Sequence, residues 1–132
     1  MQAKEIRVKL LDEAKEEFER LEKIVGDEKG KGINSSFHQT LLKGIKEKIR
    51  ILRENCDAGM QIRKKLIPKK YLEKFSVTNL WKLNLPSYWR MIYTIRQPQH
   101  KDMEVEVLTI FLDVVDILNH KQYSKIFGYR KK

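Results

Sequence analysis

Residues 79–96 read NLWKLNLPSYWRMIYTIR. Taken with a period of two, the stretch puts Trp81, Leu83, Leu85, Trp89, Met91, Tyr93 and Ile95 on one face of a strand pair. Lys82, Asn84, Arg90 and Thr94 fall on the other. The break lies at Pro86-Ser87, because proline offers no N–H to a ladder and its fixed φ suits a turn. Cross-strand partners share a face, so the two apolar sets meet only if paired residue numbers sum to an even value. Asn84 opposite Arg90, through a three-residue loop, satisfies that condition. A slip of one residue would carry the Arg90 guanidinium under the apolar layer without a partner, at high desolvation cost. The expectation is a β-hairpin with one apolar and one cationic face.

The rest of the chain supplies the cover for the apolar face. Around Ile6, Val8 and Leu10 a short strand is expected. Asp12 is placed to cap a helix carrying Ala14, Phe18, Leu21 and Val25, with Gly26 as its stop and GDEKGKGIN as a polar turn. Ser36-x-x-Gln39 reads as a capping box. Behind it Phe37, Leu41, Ile45, Ile49, Leu52 and Cys56 form one helical stripe, with Lys43, Lys46, Lys48, Arg50 and Arg53 on the remaining faces. Residues 57–75 are irregular and basic, with one short helix after Pro68. After the loop 97–102, residues 103–112 alternate and then turn apolar on both sides, as a central strand does. The remainder, 114–132, is read as a short helical turn and a basic tail. The fold class is therefore α+β, with the order β-α-α-β-β-β in a single domain, 1–132. Its small, mainly antiparallel sheet has two helices packed on one face, and a short C-terminal helix closes the chain. The other sheet face is expected to be left to solvent or a ligand.

Lys and Arg number 28 against 18 acids, for a net charge of +10. The surplus is concentrated: 34–74 holds 11 basic and 4 acidic residues, whereas 1–33 holds 8 and 9. Such a patch suits a polyanion, nucleic acid first, although a charge run also serves as plain solvated surface. One cysteine, Cys56, excludes a disulfide framework and a Cys-based zinc site, and His38, His100 and His120 are too scattered for a metal site. No cofactor is expected. Without an apolar leader or a run long enough to span a bilayer, the expected compartment is the cytoplasm.

No Gly-rich phosphate loop, Ser/His/Asp set or paired carboxylates stand out. A cationic sheet face with a polar cluster near the C-terminus can serve RNA cleavage. That reaction needs a base for the 2′-OH, donors for the phosphorane oxygens and an acid for the leaving 5′ oxygen. The element order, the segment LWKLNLPSYWRMIYTI and the closing VVDILNHKQYSKIFGY resemble the RelE/ParE toxin superfamily, in particular archaeal RelE-like members, over nearly the whole chain. The resemblance implies the toxin of a toxin–antitoxin system: a metal-independent endoribonuclease that cuts mRNA on the ribosome and is held inactive by a separately encoded antitoxin. No membrane partner is expected, and no DNA contact by the toxin alone.

By that resemblance Lys82 falls on the lysine of the strand before the hairpin, Arg90 on the strand arginine, Tyr123 on the C-terminal tyrosine, and His120 near a histidine of some relatives. These four are the expected catalytic residues. The expected RNA-binding residues are Arg63, Lys64, Lys65, Lys69, Lys70, Asn84 and Lys121. The chain departs from RelE at two places. Asn84 stands where RelE has a second lysine, and no arginine precedes the tyrosine in DVVDILNHKQY; Lys121 or the basic 63–70 loop are the expected substitutes. The competing expectation is a non-catalytic member, ParE-like or degenerate, that binds a protein target, RNA or antitoxin only. Taken singly, the residues also have plainer roles: Arg90, for instance, can pair with Glu104 or Glu106 on a neighbouring strand.

Overall fold

Among the described residues five strands, β1 (Ala3–Leu10), β2 (Met60–Ile62), β3 (Leu80–Asn84), β4 (Arg90–Arg96) and β5 (Val107–Leu118), form one sheet in the order β1-β5-β4-β3-β2, with β1 parallel to β5 and all other neighbours antiparallel. The computed structural model describes residues 3–96 and 107–128. The loop 97–102, the start of the expected last strand at 103–106 and the tail 129–132 lie outside the described residues, as do His100 and the proposed Arg90 partners Glu104 and Glu106. The α+β class holds.

The hairpin has the expected register. In β3 (Leu80–Asn84) and β4 (Arg90–Arg96), Asn84 pairs with Arg90, Leu83 with Met91 and Trp81 with Tyr93. The loop is Pro86–Tyr88, closed by the Leu85 N–H on the Trp89 carbonyl at 2.9 Å. Ser87 (φ 58°) and Tyr88 (φ 64°) both sit in the left-handed region, which matches the twist of a tight hairpin. For non-glycine residues that conformation costs roughly 1–2 kcal/mol each. The loop is seated on the second long helix, α2 (Phe37–Glu54): a Cβ on Gly44 would lie 2.6 Å from Pro86 Cδ, so this glycine admits the close approach.

The two long helices cover the apolar face. From α1 (Asp12–Gly30) come Ala14, Leu21 and Val25, and from α2 (Phe37–Glu54) come Leu41, Ile45, Ile49 and Leu52; they pack on Leu83, Met91, Tyr93, Leu112 and Val114. Cys56 is a partly buried member of this layer, and its carbonyl accepts from the Tyr93 hydroxyl at 3.0 Å.

Three helix-end expectations need correction. Asp12 does not cap α1: the cap position is Leu11, and Asp12 sits inside the first turn with its carboxylate 3.6 Å from Lys74. Gly26 does not stop α1, which runs on to Gly30; the last turns are held by buried Val25 and by Glu28, whose carboxylate accepts from Ser36 Oγ at 2.6 Å. The box before α2 is half made. Ser36 accepts from the Gln39 N–H, but the Gln39 side chain donates to the Ile33 carbonyl and to Glu28 instead of reaching back.

Two larger corrections concern the other sheet face. Residues 114–118 are not a helical turn; β5 continues through them, with a bulge opposite Ile92/Tyr93 that leaves Val115 as the extra residue. Nor is this face left open along its length. A strand, β2 (Met60–Ile62), a 3-10 turn at Lys64–Leu66, the expected helix after Pro68, α3 (Lys69–Phe75), and the terminal helix α4 (His120–Phe127) build a second core here. It comprises Ile62, Ile67, Tyr71, Val77, Leu80, Ile92, Val115, Leu118 and Tyr123. The sheet is a filling between two layers. Among the described residues no helix is long and apolar enough to cross a membrane.

Candidate functional site

Where the second core ends, the cationic residues of the hairpin meet α4. Lys82 and Arg90 lie on the sheet face opposite α1 and α2, as the parity of the hairpin requires. Lys82 Nζ donates to the Tyr123 hydroxyl at 2.9 Å, and the Arg90 guanidinium carbon stands 5.3 Å from the Tyr123 ring centroid. The tyrosine is 3% exposed and stacks on Phe127 at 4.6 Å. Its place is set by the start of α4. Asn119 accepts from the Gln122 N–H, and the Gln122 side chain accepts from the Asn119 N–H, giving the complete reciprocal cap that Ser36 lacks. Arg90 Nη1 donates to the Trp89 carbonyl at 3.2 Å. Its Nε, shut off from solvent, has no acceptor among the described residues, and such a buried donor is costly unless something completes it.

Lys82 and Tyr123 border a cleft of about 360 Å³ at the β2 edge, lined also by Met60, Arg63, Leu66 and Phe127 among others, and Arg90 stands behind it on the Tyr123 ring. Arg63 therefore joins Lys82 and Tyr123, while Met60 (64% exposed) and Leu66 (58% exposed) give the cleft an apolar lip. Two cations in a cleft open to solvent, with Arg90 a third against the same phenol ring, can bind a phosphodiester and stabilise charge that grows on its oxygens.

The other expected residues have different fates. Asn84, Lys64 and Lys65 are exposed, and His120 and Lys121 are exposed on the first turn of α4. Lys69 reaches toward Glu73 at 3.9 Å. Lys70 is turned inward: its ammonium is 3.0 Å from the buried Asp116 carboxylate and 3.4 Å from Glu13, so its charge is already balanced within the fold. Asp116 also accepts from the Tyr71 hydroxyl at 2.9 Å. Burial, reinforced by that carboxylate, pushes the Tyr71 hydroxyl far above the ordinary phenol range.

Gly59 supports the site from behind. A Cβ there would lie 2.6 Å from the Lys82 carbonyl and 2.7 Å from the Tyr93 hydroxyl, and the Gly59 N–H donates to that hydroxyl at 3.0 Å. Burial raises the Tyr93 pKa to about 12. Among the described residues no group of three or more His, Cys, Asp and Glu is placed to hold a metal ion.

Sequence reasoning missed three contributors. Asn119-x-x-Gln122 is legible by the same rule applied to Ser36. Asp116 and Tyr88 carry no local signal: the first is placed by the bulge, and the second, 72% exposed at the hairpin tip with its ring centroid 6.0 Å from that of His120, by the turn. Comparison of the chain with protein-family models, with curated proteins and with solved structures gives no match.

Proposed function

We propose that this protein is the toxin of a toxin–antitoxin pair, an endoribonuclease that cuts mRNA on the ribosome. The observation that carries the reading is the convergence of Lys82, Arg90 and Tyr123, from two strands and the terminal helix, with Arg63 in the same cleft. In the reaction the 2′ oxygen attacks phosphorus and the bond from phosphorus to the 5′ oxygen breaks. A 2′,3′-cyclic phosphate and a 5′-hydroxyl result. Lys82 and Arg90 donate to the phosphorane oxygens, where such donors commonly supply the largest share of rate. Arg90 Nε gains the acceptor it lacks. Tyr123 holds Lys82 in place and, with solvent-facing His120, handles the proton leaving the 2′-OH and the proton reaching the 5′ oxygen. With few strong acid–base groups of its own, the protein relies on the ribosome to bend the message into line, since orientation can lower a barrier by several kcal/mol. The ribosome places this work in the cytoplasm, and a separately encoded antitoxin would restrain it by covering the cationic surface.

The test is primer extension on translated mRNA with wild type, Arg90→Ala and Tyr123→Phe. Arg90→Ala should lower the cleavage rate by on the order of 10²-fold, the usual loss for an oxyanion donor. Tyr123→Phe should lower it too and leave ribosome binding nearly intact, because only the hydroxyl is removed. Equal cleavage by all three proteins places the site elsewhere. Ribosome binding without cleavage by the wild type makes the protein a binding-only member.

A further inference from the structure

The tip of the hairpin holds an aromatic ring that the cores do not use. Tyr88 is 72% exposed, although its neighbours Leu85, Met91 and Ile92 are all buried. Its backbone is in the left-handed region (φ 64°) directly after Ser87 in the same region, where glycine would serve without strain. The tip is nevertheless firmly seated. Pro86 lies against Gly44 of α2, the Trp89 N–H reaches the Pro86 carbonyl at 3.3 Å, and the Trp89 ring is 6.3 Å from Phe37. A tyrosine held out to solvent in a conformation unfavourable to it, on a rigid support, contributes little to folding.

Its surroundings show what the ring can do. Tyr88 stands two residues before Arg90 and packs at a 59° tilt beside His120, which opens the helix carrying Tyr123. An unstacked base needs a flat ring at a short distance from a group that holds its phosphate, and both are present here.

We propose that Tyr88, braced by His120, is a stacking platform for a nucleobase of single-stranded RNA whose adjoining phosphate lies at Arg90 and Lys82. The proposal rests on the endoribonuclease reading for its ligand class but not for its readout. Stacking accepts every base because each has a π face, so the platform fixes the position of the strand more than its sequence. It should favour purines over pyrimidines, since they offer the larger face.

The experiment titrates wild type, Tyr88→Ala, Tyr88→Phe and Tyr88→Gly into a short single-stranded oligoribonucleotide carrying one fluorescent purine analogue, in the absence of ribosomes. It is paired with thermal melts of each protein. Tyr88→Ala should weaken binding about tenfold or more and relieve the fluorescence quenching, while Tyr88→Phe should stay within about twofold of wild type. Tyr88→Gly should melt at a higher temperature than wild type yet bind as poorly as Tyr88→Ala, a split that a purely structural tyrosine would not give. Equal affinity of Tyr88→Ala and wild type, an equal loss in Tyr88→Phe, or no binding by the wild type would each overturn the platform. The two readings fail separately. Tyr88-dependent binding without cleavage on ribosomes leaves the platform standing and removes the nuclease; cleavage by the wild type with RNA binding unchanged in Tyr88→Ala does the reverse.

Discussion

Lys70 and Arg63 are both basic residues of one irregular stretch, yet the fold uses them in opposite ways. Lys70 neutralises Asp116 from the side, with Tyr71 donating to the same carboxylate, whereas Arg63 borders the cleft that also holds Lys82 and Tyr123. Lys70→Ala should therefore cost roughly 1–3 kcal/mol in denaturant unfolding, because it leaves a buried carboxylate short of a partner. Arg63→Ala should leave the unfolding midpoint nearly unchanged and reduce cleavage. The reverse pattern would mean that the cleft is not the site. Tyr93 gives a further residue-level test. It is buried with its hydroxyl between the Cys56 carbonyl and the Gly59 N–H, and its pKa rises from 10.0 to about 12. A raised folded-state pKa means that its contribution to stability is complete below pH 10 and is lost as pH climbs toward 12. Tyr71 is shifted the same way, so denaturant unfolding followed across that window should show stability falling, with a shallower decline in Tyr93→Phe.

At the level of elements, α4 is a short helix that carries a buried site residue, and its eight residues are too few to persist on propensity alone. The reciprocal cap of Asn119 and Gln122 is thus a positioning device for Tyr123. Asn119→Ala should cost about 1 kcal/mol and lower cleavage without touching the cleft, and Asn119→Ser should restore both. If cleavage is unchanged while stability drops, Tyr123 is held by its packing and its Lys82 contact without help from the cap. The start of this helix was readable in NHKQ, and the hairpin was readable because apolar parity and the break at Pro86-Ser87 together select its register. The end of β5 was not readable. Asp113 and Asp116 are three apart, a helical spacing, but the bulge at Val115 brings both to the same sheet face, where one meets Arg96 and the other Tyr71 and Lys70. A bulge is a response to the neighbouring strand, and no local pattern announces it. The second core was hidden for a similar reason: Ile62, Ile67 and Tyr71 are scattered among lysines with no period, and only the sheet gathers them.

Over the whole molecule, the two layers divide the charge into two surfaces. Arg63, Lys82 and Arg90 serve one face of the sheet. Lys29, Lys43 and Lys46 line a groove of about 520 Å³ between α1 and α2 on the other side, and among the described residues none of these three forms an ion pair. Arg50 in the same groove is taken up by Glu47 and Glu54. On the proposed reading, charge on this side of the sheet does not act on the scissile phosphate but raises the rate at which the protein meets a polyanion as large as a ribosome. Replacing Lys29, Lys43 and Lys46 together by glutamine should slow association and flatten its salt dependence. The log–log slope should fall by about 2–3, close to one released counterion per lost contact. The single-turnover cleavage rate of the bound complex should hardly change. Arg90→Ala should do the opposite, sparing association and slowing the bound complex. Rapid mixing over a salt series separates the two quantities. If the triple substitution slows the bound complex as Arg90→Ala does, the α1–α2 groove is part of the site, and the assignment of chemistry to the hairpin face alone is wrong.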